Sequence, residues 1–416
     1  MSVFSWIFVT FLLAGTACRL WLSNRQTRNV RAHRSQVPEP FAQQVSLKDH
    51  QKAADYTNAK AQLGRVETLY DAVLLLGWTL GGGIALVQSL VHGSGLGGLW
   101  GATASILVVL LVSSVLSLPF SIAHTFGIEA RFGFNRSTPG LFVADMLKGL
   151  ALTLVLGVPL IAAVLWIMAH AGELWWFYAW VLWSGFGLLM FWAYPTLIAP
   201  LFNKFEPLED DSLRQRVETL LDRCGFHSKG IFVMDGSRRS AHGNAYFTGI
   251  GNNKRIVFFD TLIKTLEPLE VEAVLAHELG HFRKRHVRKR MIWSLISSLI
   301  GLALLGWLKT RVWFYADLGV PEASDQAALL LFIMIAPVFT YFFSPLSAWF
   351  SRKHEFEADA YAASQSDAGA LVAALVKLYR ENASTLTPDP VHSAFYDSHP
   401  PALIRIQHLN GLANSA

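Results

Sequence analysis

Residues 277–281 read His-Glu-Leu-Gly-His. On a helix, positions i and i+4 share one face, so His277 and His281 can reach a single metal ion. Glu278 falls between them, beside the ion rather than on it. A carboxylate there can take a proton from metal-bound water. Zinc lowers the pKa of such water to about 7, which makes hydroxide available at neutral pH. With 14 His in 416 residues, chance supplies about 0.02 matches to this pattern. The bland alternative is a surface helix with two incidental histidines.

A zinc site of this kind takes a third protein ligand and keeps a fourth position for water. One known extension puts a further His six residues after the second. Here that position is Val287, the intermediate Gly is Lys284, and His286 is one residue out of register. A distant carboxylate is therefore the expected third ligand. The run Ser351-Arg-Lys-His-Glu-Phe-Glu-Ala-Asp359 offers one. Glu355 and Asp359 are four apart and share a helix face. Glu355 is expected on the metal, with Asp359 accepting a hydrogen bond from a ligand histidine. Glu357 lies on another face, and His354 reads as interfacial. The competing reading is a charged helix end snorkelling at a membrane surface.

The zinc motif should lie on a helix that starts near Pro268, a good first-turn residue. Glu270 and Glu272 suit the positive end of that helix. Before it come a helical pattern at 211–224 and strand-like runs at Gly230–Met234 and Arg255–Phe259. Zinc peptidases commonly hold substrate as an added strand. The 255–259 strand is the expected edge for it, with Asn244–Phe247 able to contribute.

The rest of the chain must hold these elements at a bilayer. Hydrophobic residues make up 52% of the chain and charged residues 16%, against about 25% charged in soluble domains. Mean hydropathy is +0.35. These values exclude a disordered chain and argue against an ordinary cytosolic enzyme. Seven stretches are long enough to cross a bilayer, near 5–22, 69–91, 103–124, 149–170, 174–198, 290–308 and 327–350. The expected fold is an all-α multi-pass membrane protein with seven transmembrane helices. A small α+β zinc-peptidase domain sits on its cytoplasmic side. The expected divisions are a five-span membrane domain (1–198), a peptidase segment (199–289), spans six and seven (290–350), and a carboxy-terminal segment with the third ligand (351–416).

Arg19, Arg25, Arg28, Arg31 and Arg34 follow the first span, and no basic residue precedes it. The positive-inside rule then puts the N-terminus outside and both halves of the zinc site in the cytoplasm. The same pattern argues against a cleaved signal peptide. The net charge of +5 and pI near 9.1 follow membrane topology, so no nucleic-acid partner is expected. Cys18 and Cys224, the two cysteines, exclude a disulfide scaffold.

These motifs, set among seven spans, resemble the type I CAAX prenyl endopeptidases, integral-membrane gluzincins. The resemblance extends to Phe132-Gly-Phe-Asn135 with Asp145 and Lys148, and to Pro200-Leu-Phe-Asn-Lys-Phe205. It continues through Ser240-Ala-His-Gly-Asn-Ala-Tyr-Phe247, Lys254-Arg-Ile-Val-Phe-Phe-Asp260, and Asp397-Ser-His-Pro-Pro401 with Arg405. It implies one Zn2+ per chain and a chamber within the helix ring. Asn244 would hold substrate backbone or the oxyanion, and His399 would stabilise the oxyanion. Arg405 would orient Glu355 or the carboxy-terminal element, and His242 would be structural. The implied partners are the lipid bilayer and a peptide or protein substrate, prenylated or membrane-bound. The chain is compact and ends in Asn-Ser-Ala rather than an ER-retention signal. A bacterial inner membrane is therefore expected over the endoplasmic reticulum, and clearance of membrane proteins becomes an alternative task for the same chemistry.

A transporter or channel is the rival of another class. It should bury charges at the midplane of several spans, and the seven apolar cores carry almost none. A silent structural zinc site is the other rival, and it would need no Glu278.

Overall fold

The computed structural model describes residues 2–226, 228–248 and 255–413. Lys254 and the terminal Asn-Ser-Ala, both named above, lie outside the described residues. The membrane part runs α1 (Val3–Ala32), α2 (Leu47–Trp78), α3 (Gly83–Gly93), α4 (Gly98–Glu129), α5 (Pro139–His170) and α6 (Gly172–Phe202). Next come β1 (Phe205–Pro207), α7 (Asp211–Arg223), β2 (Ile231–Met234), β3 (Ala245–Thr248), β4 (Arg255–Phe259) and α8 (Asp260–Thr265). The zinc-motif helix α9 (Pro268–Arg283) leads into α10 (His286–Leu308), α11 (Val312–Ala316) and the long α12 (Asp325–Gln365). The chain closes with α13 (Ala368–Glu381), α14 (Pro390–Tyr396) and α15 (Ala402–Ala413).

Among the described residues six helices are long and apolar enough to cross a membrane, and α2 with α3 makes a seventh. That seventh span differs from the continuous 69–91 helix expected from hydropathy: its two halves meet at a 51° bend. The sequence Gly81-Gly-Gly83 causes the break. Gly82 has φ +76°, and a Cβ on Gly81 would lie 2.8 Å from the Gly77 carbonyl oxygen. The spans leave Trp6, Trp100, Val155, Trp293 and Ile300 more than half exposed, as lipid-facing side chains require.

The small sheet has the order β1-β2-β4-β3. β2 and β4 pair in parallel, and β3 pairs antiparallel with β4, Tyr246 opposite Val257. The expected edge is therefore corrected. β4 is an inner strand flanked on both sides, and β3 is the edge.

One apolar core joins the two polar segments on either side of spans six and seven. Leu213, Val217 and Leu220 of α7, Ile256 and Phe258 of β4, and Val271, Leu275 and Leu279 of α9 pack together. Ala362 of α12, Leu371 of α13 and Leu409 of α15 complete the cluster.

The segments that carried the family resemblance meet where this core abuts the spans. Asn135 bridges Ser240, and the Ala241 amide donates to the Phe134 carbonyl at 3.0 Å. Arg239 grips Asp145 through two hydrogen bonds of 2.7 and 2.9 Å and donates to Asn203 at 2.9 Å. Lys148 donates to the Leu201 carbonyl at 2.7 Å. His242 stacks on Phe134 with centroids 4.4 Å apart and meets Glu129 and Asn382.

Candidate active site

Helix α9 starts where expected. Pro268 occupies its first turn, and Glu270 accepts from the Glu267 amide at 2.8 Å and from Lys377 at 2.8 Å. Glu272 is instead tied to α7, through Arg216 at 2.8 Å and Arg223 at 3.1 Å. Helix α12 carries span seven on, through a 3-10 turn at Tyr341–Phe343, into the segment that holds Glu355 and Asp359. Gly280 lets the two helices touch. A Cβ there would lie 2.9 Å from the Ala358 Cα and 3.0 Å from its carbonyl oxygen.

This contact brings His277, His281 and Glu355 together, with one ligand atom from each lying within 4.8 Å of the others. The two Nε2 atoms are 3.2 Å apart. Glu355 Oε2 is 3.4 Å from His277, and its Oε1 is 3.3 Å from His281. His277 and Glu355 are buried, at 6% and 5% exposure.

Asp359, fully buried, accepts from His277 Nδ1 at 2.8 Å. The same carboxylate takes a two-pronged grip from Arg405, with hydrogen bonds of 2.8 and 2.7 Å. Arg405 therefore braces Asp359 first and stands 3.7 Å from Glu355. Against the pull of burial and of Arg405, the Asp359 hydrogen bond and the nearby Glu355 carboxylate push the His277 pKa up to about 8. The local field thus favours positive charge.

The donor set fits a metal ion. With its Nδ1–H directed at Asp359, a neutral His277 would offer its Nε2 lone pair to a cation. Glu355 Oε2 is buried and makes no hydrogen bond. Two imidazole nitrogens and one carboxylate oxygen converging in this way are the three-ligand set of catalytic zinc sites.

Glu278 projects from the same turn and is half-buried. Burial pushes its carboxyl above the usual range, with His277 and His281 pulling the other way. His399 reaches the cluster from the carboxy-terminal segment, its Nε2 3.5 Å from Glu355 Oε2. Burial lowers its pKa, while Glu355 opposes the shift. His399 also lines a cavity of about 510 Å³ beside α1 and α2.

The Asn244 side chain does not join this cluster. It is exposed at the head of β3, accepts from the Ala245 amide at 2.8 Å, and its carbonyl accepts from the Phe259 amide. Sequence reasoning missed His286, which is fully buried against His281. His354, read as interfacial, stacks on His286 with centroids 4.0 Å apart.

The chain is similar to known proteins along most of its length. Residues 26–204 match the family described as CAAX prenyl protease N-terminal, five membrane helices, and residues 207–413 match peptidase family M48. A CAAX prenyl protease 1 homolog of Arabidopsis thaliana is 38% identical over 73% of this chain and 72% of its own length. The Homo sapiens CAAX prenyl protease 1 homolog is 31% identical over 97% of this chain and 95% of its own. The crystal structure of S. mikatae Ste24p superposes with a TM-score of 0.91 at 29% identity, covering 98% of this chain and 99% of that one.

Proposed function

The chain belongs to the CAAX prenyl protease 1 family of M48 metallopeptidases, and from that premise we propose how its own residues cleave a peptide. It is a membrane-embedded zinc-dependent endopeptidase; the transporter and silent-scaffold readings do not fit the family. The observation that carries the assignment of roles is the convergence of His277, His281 and Glu355 around an unpartnered carboxylate oxygen, with Glu278 on the adjoining position.

His277, His281 and Glu355 would hold one Zn2+ per chain. When bound, zinc supplies Lewis acidity that polarises a carbonyl and brings the pKa of water to about 7. Glu278 takes the proton from the attacking water and delivers it to the leaving amine. Burial shifts its pKa upward, the direction that suits a group which both takes and gives a proton. Asp359 keeps His277 in the tautomer that offers Nε2, and Arg405 holds Asp359. His399 donates a hydrogen bond to the carbonyl oxygen as negative charge builds on it. The free edge of β3 receives the substrate as an added strand, with Asn244 at its head holding substrate backbone.

The substrate class we propose is a protein carboxy-terminal segment of the CAAX type carrying a prenylated cysteine, in line with the names of the relatives. The topology is N-terminus outside with the active site and C-terminus cytoplasmic, supported by Arg25, Arg28 and Arg31 in the carboxy-terminal half of α1 and Arg34 just beyond it. A bacterial inner-membrane placement rests on the compact chain alone; the relatives named above are eukaryotic. The four-segment division at 198, 289 and 350 is our working description of the domains.

The deciding assay compares wild type with Glu278→Gln, zinc content measured in both, on a farnesylated peptide and its unmodified twin. A loss of about 10²–10⁴-fold with zinc retained is expected for removal of a general base. Equal rates would overturn the mechanism, and equal cleavage of the two peptides would overturn the prenyl requirement.

A further inference from the structure

We propose that His286 and Glu357 form a hydrogen-bonded relay that fixes the tautomer and ring orientation of His281 as a metal ligand, making His286 a positioning residue of the zinc site. The inference rests on the zinc reading above.

His286 Nδ1 lies 3.0 Å from His281 Nδ1, and its Nε2 lies 3.0 Å from Glu357 Oε2. The protons on this chain follow from one requirement. To offer Nε2 to a cation, His281 must carry its hydrogen on Nδ1. That hydrogen then goes to His286 Nδ1, which must be bare. His286 keeps its own hydrogen on Nε2 and donates it to Glu357. His286 accepts from His281 and donates to Glu357, and only this arrangement leaves the His281 Nε2 lone pair free.

The surroundings hold the relay in place. His286 is fully buried, its ring stacks on His354 at an interplanar angle of 15°, and Lys289 stands 3.9 Å from Glu357. The backbone is bent to deliver it. Helix α9 ends at Arg283, Arg285 adopts φ 58° and ψ 32°, and α10 begins at once with His286. A non-glycine residue in the left-handed region is uncommon. Here it folds the chain back so that a residue only five past His281 reaches its ring.

The two histidine ligands are thereby supported differently. His277 gives its Nδ1 hydrogen straight to a buried carboxylate, Asp359, whereas His281 gives its hydrogen to a neutral imidazole whose carboxylate is 31% exposed. Loss of such outer partners typically weakens metal binding 10–100-fold.

Three full-length variants test this, by zinc competition against a chromophoric chelator and by the visible spectrum of the cobalt-substituted protein. His286→Phe keeps the ring and its stacking but removes the acceptor. Its zinc Kd should rise about 10–100-fold, with an altered cobalt spectrum. His286→Asn restores an acceptor near the Nδ1 position and should recover most of that loss, which a purely packing role would not give. Glu357→Gln leaves the fold intact and should raise Kd by up to about tenfold; it decides the matter if His286→Phe does not fold. Unchanged Kd in Glu357→Gln together with either no change in His286→Phe or no rescue by His286→Asn overturns the relay. A wild type that takes up no zinc overturns the metal reading beneath it, a distinct result.

Discussion

Gly280 and Ala358 meet at a distance that excludes a side chain on the former: a Cβ on Gly280 would sit 2.9 Å from the Ala358 Cα. The glycine inside the His-Glu-Leu-Gly-His run thus sets how close α9 and α12 approach, and that approach sets the distance from the two histidines to Glu355. Gly280→Ala should destabilise by about 1–3 kcal/mol, the usual cost of overpacking. It should also weaken zinc binding by displacing Glu355. Because two of the three nearest atoms are backbone, adding Ala358→Gly should not rescue it. Thermal unfolding and zinc titration of both variants check this, and full rescue by Ala358→Gly would refute the backbone argument.

The Asp359–Arg405 pair separates stability from metal binding. Removing one partner of a buried ion pair leaves an uncompensated charge and costs about 3–5 kcal/mol, whereas replacing both with apolar groups is often near neutral. Asp359→Leu alone should be strongly destabilised. Asp359→Leu with Arg405→Met should regain much of that stability yet bind zinc about 10–100-fold more weakly, since His277 has lost its acceptor. Recovery of wild-type zinc affinity in the double variant would show that Asp359 supports Arg405 and not His277.

Much of this centre was legible in the chain because helical spacing is local. His277 with His281, and Glu355 with Asp359, are i,i+4 pairs whose shared face follows from 3.6 residues per turn. Long-range partners left no such trace. Arg405 reaches Asp359 across 46 residues, and its identity there came only through resemblance. His286 was set aside because it is out of register for a metal ligand, and a register rule cannot see that its partner is another histidine. The turn that presents it is built on Arg285, not on a glycine or asparagine that would have announced it. Strands β1 and β3 have three and four residues, too short for alternation to mark them, so the sheet edge was assigned to β4. Hydropathy averaged across Gly81–Gly83 and hid the break between α2 and α3.

Arg285 gives the cheapest probe of that turn. A left-handed backbone costs an L side chain roughly 1–2 kcal/mol that glycine avoids. Glycine has more freedom to lose on folding, which offsets part of the gain. Arg285→Gly should therefore be neutral or stabilising by up to about 1 kcal/mol, whereas Arg285→Val should be destabilising because a β-branched residue is a poor fit to φ 58°. Calorimetric melting of the two variants in one detergent gives the comparison, and a strongly destabilised Arg285→Gly would mean the side chain itself holds the turn.

Asp389 sets an acid limit on the fold. Its carboxylate takes hydrogen bonds of 3.1 and 3.0 Å from Arg25 of α1 and of 3.1 and 2.9 Å from the Val391 and His392 amides. It so fastens the carboxy-terminal end of α1 to the segment that carries His399. Burial pushes this carboxyl up, but Arg25 and the His392 amide outweigh it and hold it below the usual range. A depressed folded pKa contributes stability that is present above the unfolded value, about 3.9 for Asp, and is lost as pH falls through the folded value. Asp389→Asn keeps an oxygen for the two amides and loses the charge that Arg25 needs. The wild type should therefore melt higher than Asp389→Asn at pH 6–7, and the gap should close as pH drops below about 4. A gap constant from pH 7 to pH 3 would mean that the difference does not arise from the Asp389 charge.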